Sequence, residues 1–117
     1  MAANGGNDRC ITNNPAHDQF PAWSPIESGS VPSKIAFESN RDNGRSVIYV
    51  MNPDGSNQQP LTAVDQENMF PAWSPLGDSI VFESRRDNNM EIYKMKSDGS
   101  GQTNISNNPA QDGMPDW

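Results

Sequence analysis

The sequence is poor in the residues from which most small self-contained domains are built. Only 32% of its 117 residues are hydrophobic, thin for a core that must hold a chain of this size together. It has a single cysteine, Cys10, so no internal disulfide forms and the fold is not a disulfide scaffold. Positive charge is scarce: 8 Lys and Arg stand against 15 Asp and Glu, a net charge of −7. That balance argues against a nucleic acid or an anionic membrane as partner, because both need a basic footprint. No apolar run approaches the roughly 18 residues of a membrane span, and residues 1–10, a polar tail rich in Asn and Gly, lack the apolar stretch of a signal peptide. The i, i+3, i+4 period of an amphipathic helix is missing throughout. His17 is the only histidine; it stands beside Asp18 with no Gly-x-Ser-x-Gly elbow, which argues against hydrolysis and against an enzyme altogether. No Asp-x-Asp-x-Asp-Gly calcium loop is present, and the expectation is no metal and no cofactor.

What the chain has is repetition. The hexapeptide Phe20-Pro21-Ala22-Trp23-Ser24-Pro25 recurs residue for residue at Phe70-Pro71-Ala72-Trp73-Ser74-Pro75, and Met114-Pro115-Asp116-Trp117 is a third, partial copy. Aligning outward from the tryptophans pairs Ile35 to Ser39 with Ile80 to Ser84, Val47 to Met51 with Glu91 to Met95, and Asp54-Gly55-Ser56 with Asp98-Gly99-Ser100. Ile11 to Ala16 matches Ile105 to Ala110, with Leu61-Thr62 in the middle copy. The difference in period is absorbed by extra residues in Ile26 to Ser33 and in the Asp42-Asn43-Gly44 turn, so insertions fall in turns. All nine aromatics occupy repeat positions.

Short apolar runs bounded by Asn, Asp, Gly, Ser and Pro predict an all-β chain. Cys10 to Thr12 reads as a short outer strand and Phe20 to Ser24 as an inner one, with prolines where a missing N–H does least harm. Each repeat then folds as a four-stranded antiparallel meander, its hairpins turning at Arg41 to Gly44, Arg86 to Asn89, Asp54-Gly55 and Asp98-Gly99. Meanders at a period of about 40 to 45 residues are β-propeller blades. The organisation expected is an outer strand of a preceding blade and the first inner strand over 11–24, one blade over 20–62, a second over 70–106 and a partial repeat over 107–117. Trp23, Trp73, Trp117, Phe37, Phe82, Tyr49 and Tyr93 are expected in the core between blades. The recurring Glu38, Glu83, Asp42 and Asp87 are not expected to bind metal, since a recurring Asp beside a turn reads as an Asx cap.

The sequence Pro-Ala-Trp-Ser-Pro, followed by Ile-Ala-Phe-Glu-Ser-Asn-Arg-Asp and Ile-Tyr-Val-Met-Asn-Pro-Asp-Gly-Ser, resembles the WD40-like repeat of the TolB propeller family over nearly all of Ile11 to Trp117. The resemblance implies a six-bladed ring, a non-catalytic protein-interaction role and an extracytoplasmic, periplasmic setting.

Polar residues of varying identity recur in the loop before each inner strand: His17-Asp18-Gln19, Glu67-Asn68 and Gln111-Asp112. Repeated loops with variable residues are where propellers bind, which makes these the candidate binding residues. The expected function is a binding or scaffold module for a protein, with a lectin-like glycan binder or a ligand-free propeller fragment as alternatives. Asn104-Ile105-Ser106 also fits a glycosylation sequon. Two blades alone leave broad apolar faces uncovered, so the ring is expected to close by homo-oligomerisation; the family resemblance favours a trimer. The surplus terminal segments then compete for one place at each junction.

Overall fold

The structure, a computed structural model, describes residues 10–25 and 33–106. The described chain is all strand and turn. Strands β1 (Asp18–Trp23), β2 (Ile35–Ser39), β3 (Val47–Met51) and β4 (Gln59–Pro60) form one sheet in that order. Strands β5 (Asn68–Trp73), β6 (Ser79–Ser84), β7 (Glu91–Lys96) and β8 (Thr103–Asn104) form the second. Every neighbouring pair is antiparallel. These are propeller blades in an unclosed arc, and the Cα radius of gyration of 14.5 Å exceeds the roughly 13 Å of a compact domain of this length.

The sequence alternates along each strand, and the packing follows. Ile35, Phe37, Val47, Tyr49 and Met51 share one face of the first sheet and cluster with Ile11. Ala36 and Ile48 lie on its other face and join Trp73, Ile80, Phe82, Tyr93 and Met95 of the second sheet, with Ala22, Val50 and Leu61 packed around them. A period of two thus gives one sheet two apolar faces, of which the second is the junction between blades.

The hairpins turn where glycine and asparagine allow it. Gly55 and Gly99 both have φ of 88°, and Asp54 and Asp98 each accept the N–H of the serine two residues on, at 2.9 Å, the geometry of an Asx turn. In the longer turn of the first repeat Gly44 takes φ of 82°, whereas Asn88 takes 69° in the second.

Three expectations need correction. The inner strand begins at Asp18 and at Asn68, two residues earlier than the repeated phenylalanine, because a bulge inserted between Gln19 and Ala22, and between Met69 and Ala72, lets pairing continue past it. Cys10 to Thr12 is not a strand: it pairs with none of the described strands, and Ile11 instead seats its side chain on the first cluster. Trp23 is not core. It is 61% exposed while Trp73 is 9% exposed, because a blade covers the second tryptophan and none of the described residues covers the first. The expected core positions Phe37, Phe82, Tyr49 and Tyr93 are buried; Trp117 lies outside the described residues.

The outer strands are shorter than the alternation implies, at two residues each. Hydrogen bonding continues past them through side chains. Leu61 donates its N–H to the Ile48 carbonyl at 2.7 Å and Thr62 Oγ1 accepts the Ile48 N–H at 3.0 Å. In the second sheet Ile105 and Ser106 Oγ do the same for Ile92, at 2.8 and 2.9 Å. A hydroxyl replaces a ladder carbonyl at each rim, where the backbone has begun to leave the sheet.

Candidate functional site

The candidate loops arrive at the bulged ends of β1 and β5. Phe20 and Phe70 sit in the bulges with φ of 52° and 55°, a conformation that bulky residues rarely adopt. The rings meet edge to face with centroids 4.5 Å apart, a favoured aromatic arrangement. Holding Phe70 there is Glu38, 1% exposed: its Oε2 accepts the Phe70 N–H at 2.9 Å, and its Oε1 accepts from Gln19 Nε2 and Ser46 Oγ, each at 3.2 Å. One buried carboxylate from the first blade therefore fixes the strained turn of the second, and its charge is offset by three donors. The junction is tied again at Trp73, whose Nε1 donates to the Ala22 carbonyl at 2.9 Å.

Of the candidate binding residues, His17 is exposed, with its N–H donated to Asn40 Oδ1 at 3.1 Å. Gln19 is exposed on β1 and bonded to Glu38. Glu67 is half-buried and its carbonyl accepts the Arg85 N–H at 3.1 Å. Asp18 and Asn68 are strand residues with internal roles. Asp18 is paired with Arg41 at 3.1 Å, and Asn68, wholly buried, accepts from Arg86 Nη2 at 3.1 Å. Asn68 is thus not a surface group, because the strand starts where a loop was expected. Gln111 and Asp112 lie outside the described residues. The structure brings His17, Gln19, Phe20, Glu67 and Phe70 to one end of the two inner strands.

The sequence places Arg41 and Arg86 at hairpins and implies that they tie them by hydrogen bonds and ion pairs; their reach to the glutamines of the outer segment was not legible from it. Arg41 stacks over Tyr49 at 4.5 Å and donates to Ser39 Oγ and Gln58 Oε1 at 2.8 and 2.7 Å. Arg86 repeats every contact, stacking over Tyr93 at 4.2 Å and donating to Ser84 Oγ and Gln102 Oε1. The glutamine amides then reach the preceding outer segment: Gln58 Nε2 donates to the Thr12 carbonyl at 3.1 Å, and Gln102 Nε2 to the Leu61 carbonyl at 3.1 Å. Its only trace in the sequence is the repetition of Arg and Gln themselves, at 41 and 86 and at 58 and 102.

The tyrosines close each clamp. Tyr49 donates its hydroxyl to Asp42 Oδ2 at 2.5 Å; burial, and next the bond to Asp42, push its pKa up to about 12. Tyr93 donates to Asp87, and burial followed by that carboxylate raises its pKa in the same direction. Burial lowers the pKa of Arg86. Asp42, Asp87 and Glu38 therefore spend their oxygens on internal donors, and no group of three metal-ligating side chains gathers among the described residues.

Known proteins give the arrangement its family. The model of the TolB beta propeller domain matches residues 1–117. A solved TolB-type structure from Agrobacterium tumefaciens superposes with a TM-score of 0.80 at 30% identity, covering 98% of this chain and 39% of that one. TolB from Acinetobacter baumannii superposes with a TM-score of 0.71 at 24% identity, covering 90% of this chain and 25% of its own. The chain therefore spans well under half the length of either. No curated protein matches it. Two meanders joined by a glutamate-held bulge, repeated in sequence and superposing on these propellers, place the chain in the TolB β-propeller family.

Proposed function

We propose that the chain is a non-catalytic interaction module that presents the bulged ends of β1 and β5 to a protein partner outside the cytoplasm. The observation that carries this reading is the exposed Phe20, at 45%, held in a strained bulge beside exposed His17 and Gln19 and edge to face with Phe70. Strain kept at an exposed, repeated position fits a surface shaped for contact. An aromatic flanked by polar side chains is the composition of an interface core with its rim. Membership of the TolB propeller family supports the interaction role and the extracytoplasmic setting. The ring closes by self-association, with three copies of two blades as the favoured count.

The test is capture. The immobilised chain is expected to retain a protein from extract, and the triple variant His17→Ala, Gln19→Ala, Glu67→Ala to retain at least tenfold less of the same protein. Equal retention by both would remove these residues from the function. A glycan array that lights up while no protein is retained would move the reading to a lectin.

A further inference from the structure

The one internal junction between blades shows what the outer blade surfaces lack. Across it Trp73 is 9% exposed, Leu61 is half-buried, and Phe70 is half-buried against Phe20. Their repeat mates are among the exposed large apolar side chains: Trp23 at 61%, Phe20 at 45% and Ile105 at 53%. Trp23 and Phe20 belong to the side that receives a blade, and Ile105 to the side that delivers one. Among the described residues, the two uncovered surfaces are the two halves of a contact that they already make once. A groove of about 270 Å³ marks the receiving half, lined by Ile11, Thr12, Pro21, Trp23, Phe37 and Met51 among others. It ends at Asp18, whose side chain is 9% exposed and whose Oδ2 has no hydrogen-bond partner.

We propose that the receiving side of the first blade binds the second blade of another copy, head to tail. The inference rests on the self-association in the functional reading and names its seat. By continuity with the internal junction, the Trp23 indole takes the place of Trp73, and Ile105 takes the place of Leu61 against the glycine turn. Such an interface is heterologous, so it propagates until a ring closes.

The seat for Ile105 is already held. Ile11 packs there, and Gln58 Nε2 donates to the Thr12 carbonyl at 3.1 Å. A β-carbon on Gly55 would stand 2.0 Å from the Ile11 carbonyl oxygen, just as one on Gly99 would stand 2.7 Å from that of Leu61. Ile11 and Leu61 are therefore tenants of equivalent seats. They are not equally fixed at their own backbones. Thr103 and Asn104 pair with Lys94 and Tyr93, and Ile105 donates its N–H to Ile92, whereas Ile11 and Thr12 belong to no strand. Ile11 is the tenant that yields, and association exchanges one isoleucine for another.

Complementation tests this with the 117-residue chain. Trp23→Glu spoils only the receiving side and Ile105→Glu only the delivering side; both positions are exposed, and circular dichroism checks that each variant keeps the fold. Sedimentation velocity is expected to show each variant alone as a monomer and the equimolar mixture as a dimer that grows no further. Ile11→Asp, by weakening the tenant, is expected to tighten self-association about tenfold. A wild-type chain that stays monomeric, variants that associate like wild type, or a mixture that stays monomeric would each overturn the proposal. A monomeric wild-type chain would also remove the self-association in the functional reading, whereas associated variants or a monomeric mixture would overturn only the seat named here; capture of a partner at the His17–Glu67 rim is read independently of all three.

Discussion

Glu38 concentrates the contact between the blades in one side chain, since its two oxygens serve Gln19, Ser46 and the amide of Phe70. Glu38→Gln keeps the shape but loses the charge and one acceptor. Hydrogen bonds to charged groups are worth more than neutral ones, so the variant should lose about 2 kcal/mol in urea unfolding. The tryptophans give a sharper contrast, because sequence identity conceals different surroundings. Trp73→Phe removes the indole donor to Ala22 and should cost about 1 kcal/mol. Trp23→Phe, at a side chain 61% exposed in the single chain, should fall within about 0.5 kcal/mol of zero when unfolding is measured at a dilution that keeps the chain monomeric. Equal costs would mean the junction does not depend on that bond. Tyr49 sets an alkaline limit. Its pKa in the folded chain, about 12, lies above the value of about 10 expected when unfolded. The protonated form therefore stabilises the fold; this contribution is complete below pH ~10 and is lost as pH rises through the folded value. Absorbance at 295 nm should show tyrosine ionising well above pH 10 in the native chain, and Tyr49→Phe should remove part of that late titration and make stability less sensitive to alkali.

At the scale of elements, the turns and the bulge govern how far the sequence could be read. The Asp-Gly turns and the apolar runs of β2, β3, β6 and β7 were legible because each has a local cause: a residue that tolerates positive φ, or alternation with two buried faces. The bulge was not. Nothing in Phe20 or Phe70 announces a left-handed backbone, and the contact that holds the Phe70 copy comes from a carboxylate 32 residues away in sequence, Glu38. That displacement of the strand start moved Asp18 and Asn68 out of the loop where the sequence placed them. His17 and Gln19 stayed exposed and Glu67 half-buried. Glycine turns supply an element-scale prediction. Gly44→Ala, with φ of 82° but nothing within 4 Å of the new carbon, should cost about 1 kcal/mol from the backbone alone. Gly55→Ala adds a collision with the Ile11 carbonyl. Its thermal unfolding should be measurably lower than that of Gly44→Ala, and amides near residues 11 and 12 should lose hydrogen-exchange protection.

For the whole molecule, the repeat was legible and the number of partners at each surface was not. Identical hexapeptides announced equivalent strands, yet Trp23 and Trp73 differ in exposure because only one has a blade before it among the described residues. Two blades that pack on each other through Ala36, Ile48 and Trp73 leave the mates of those contacts uncovered at either side of the arc, and apolar surface of that kind drives association. The mass of this 117-residue chain in solution tests this most directly. Light scattering from the 12.8 kDa chain at micromolar concentration should give a multiple of that mass, with three copies favoured. A well-folded particle that holds the monomer mass across the concentration range would contradict the account.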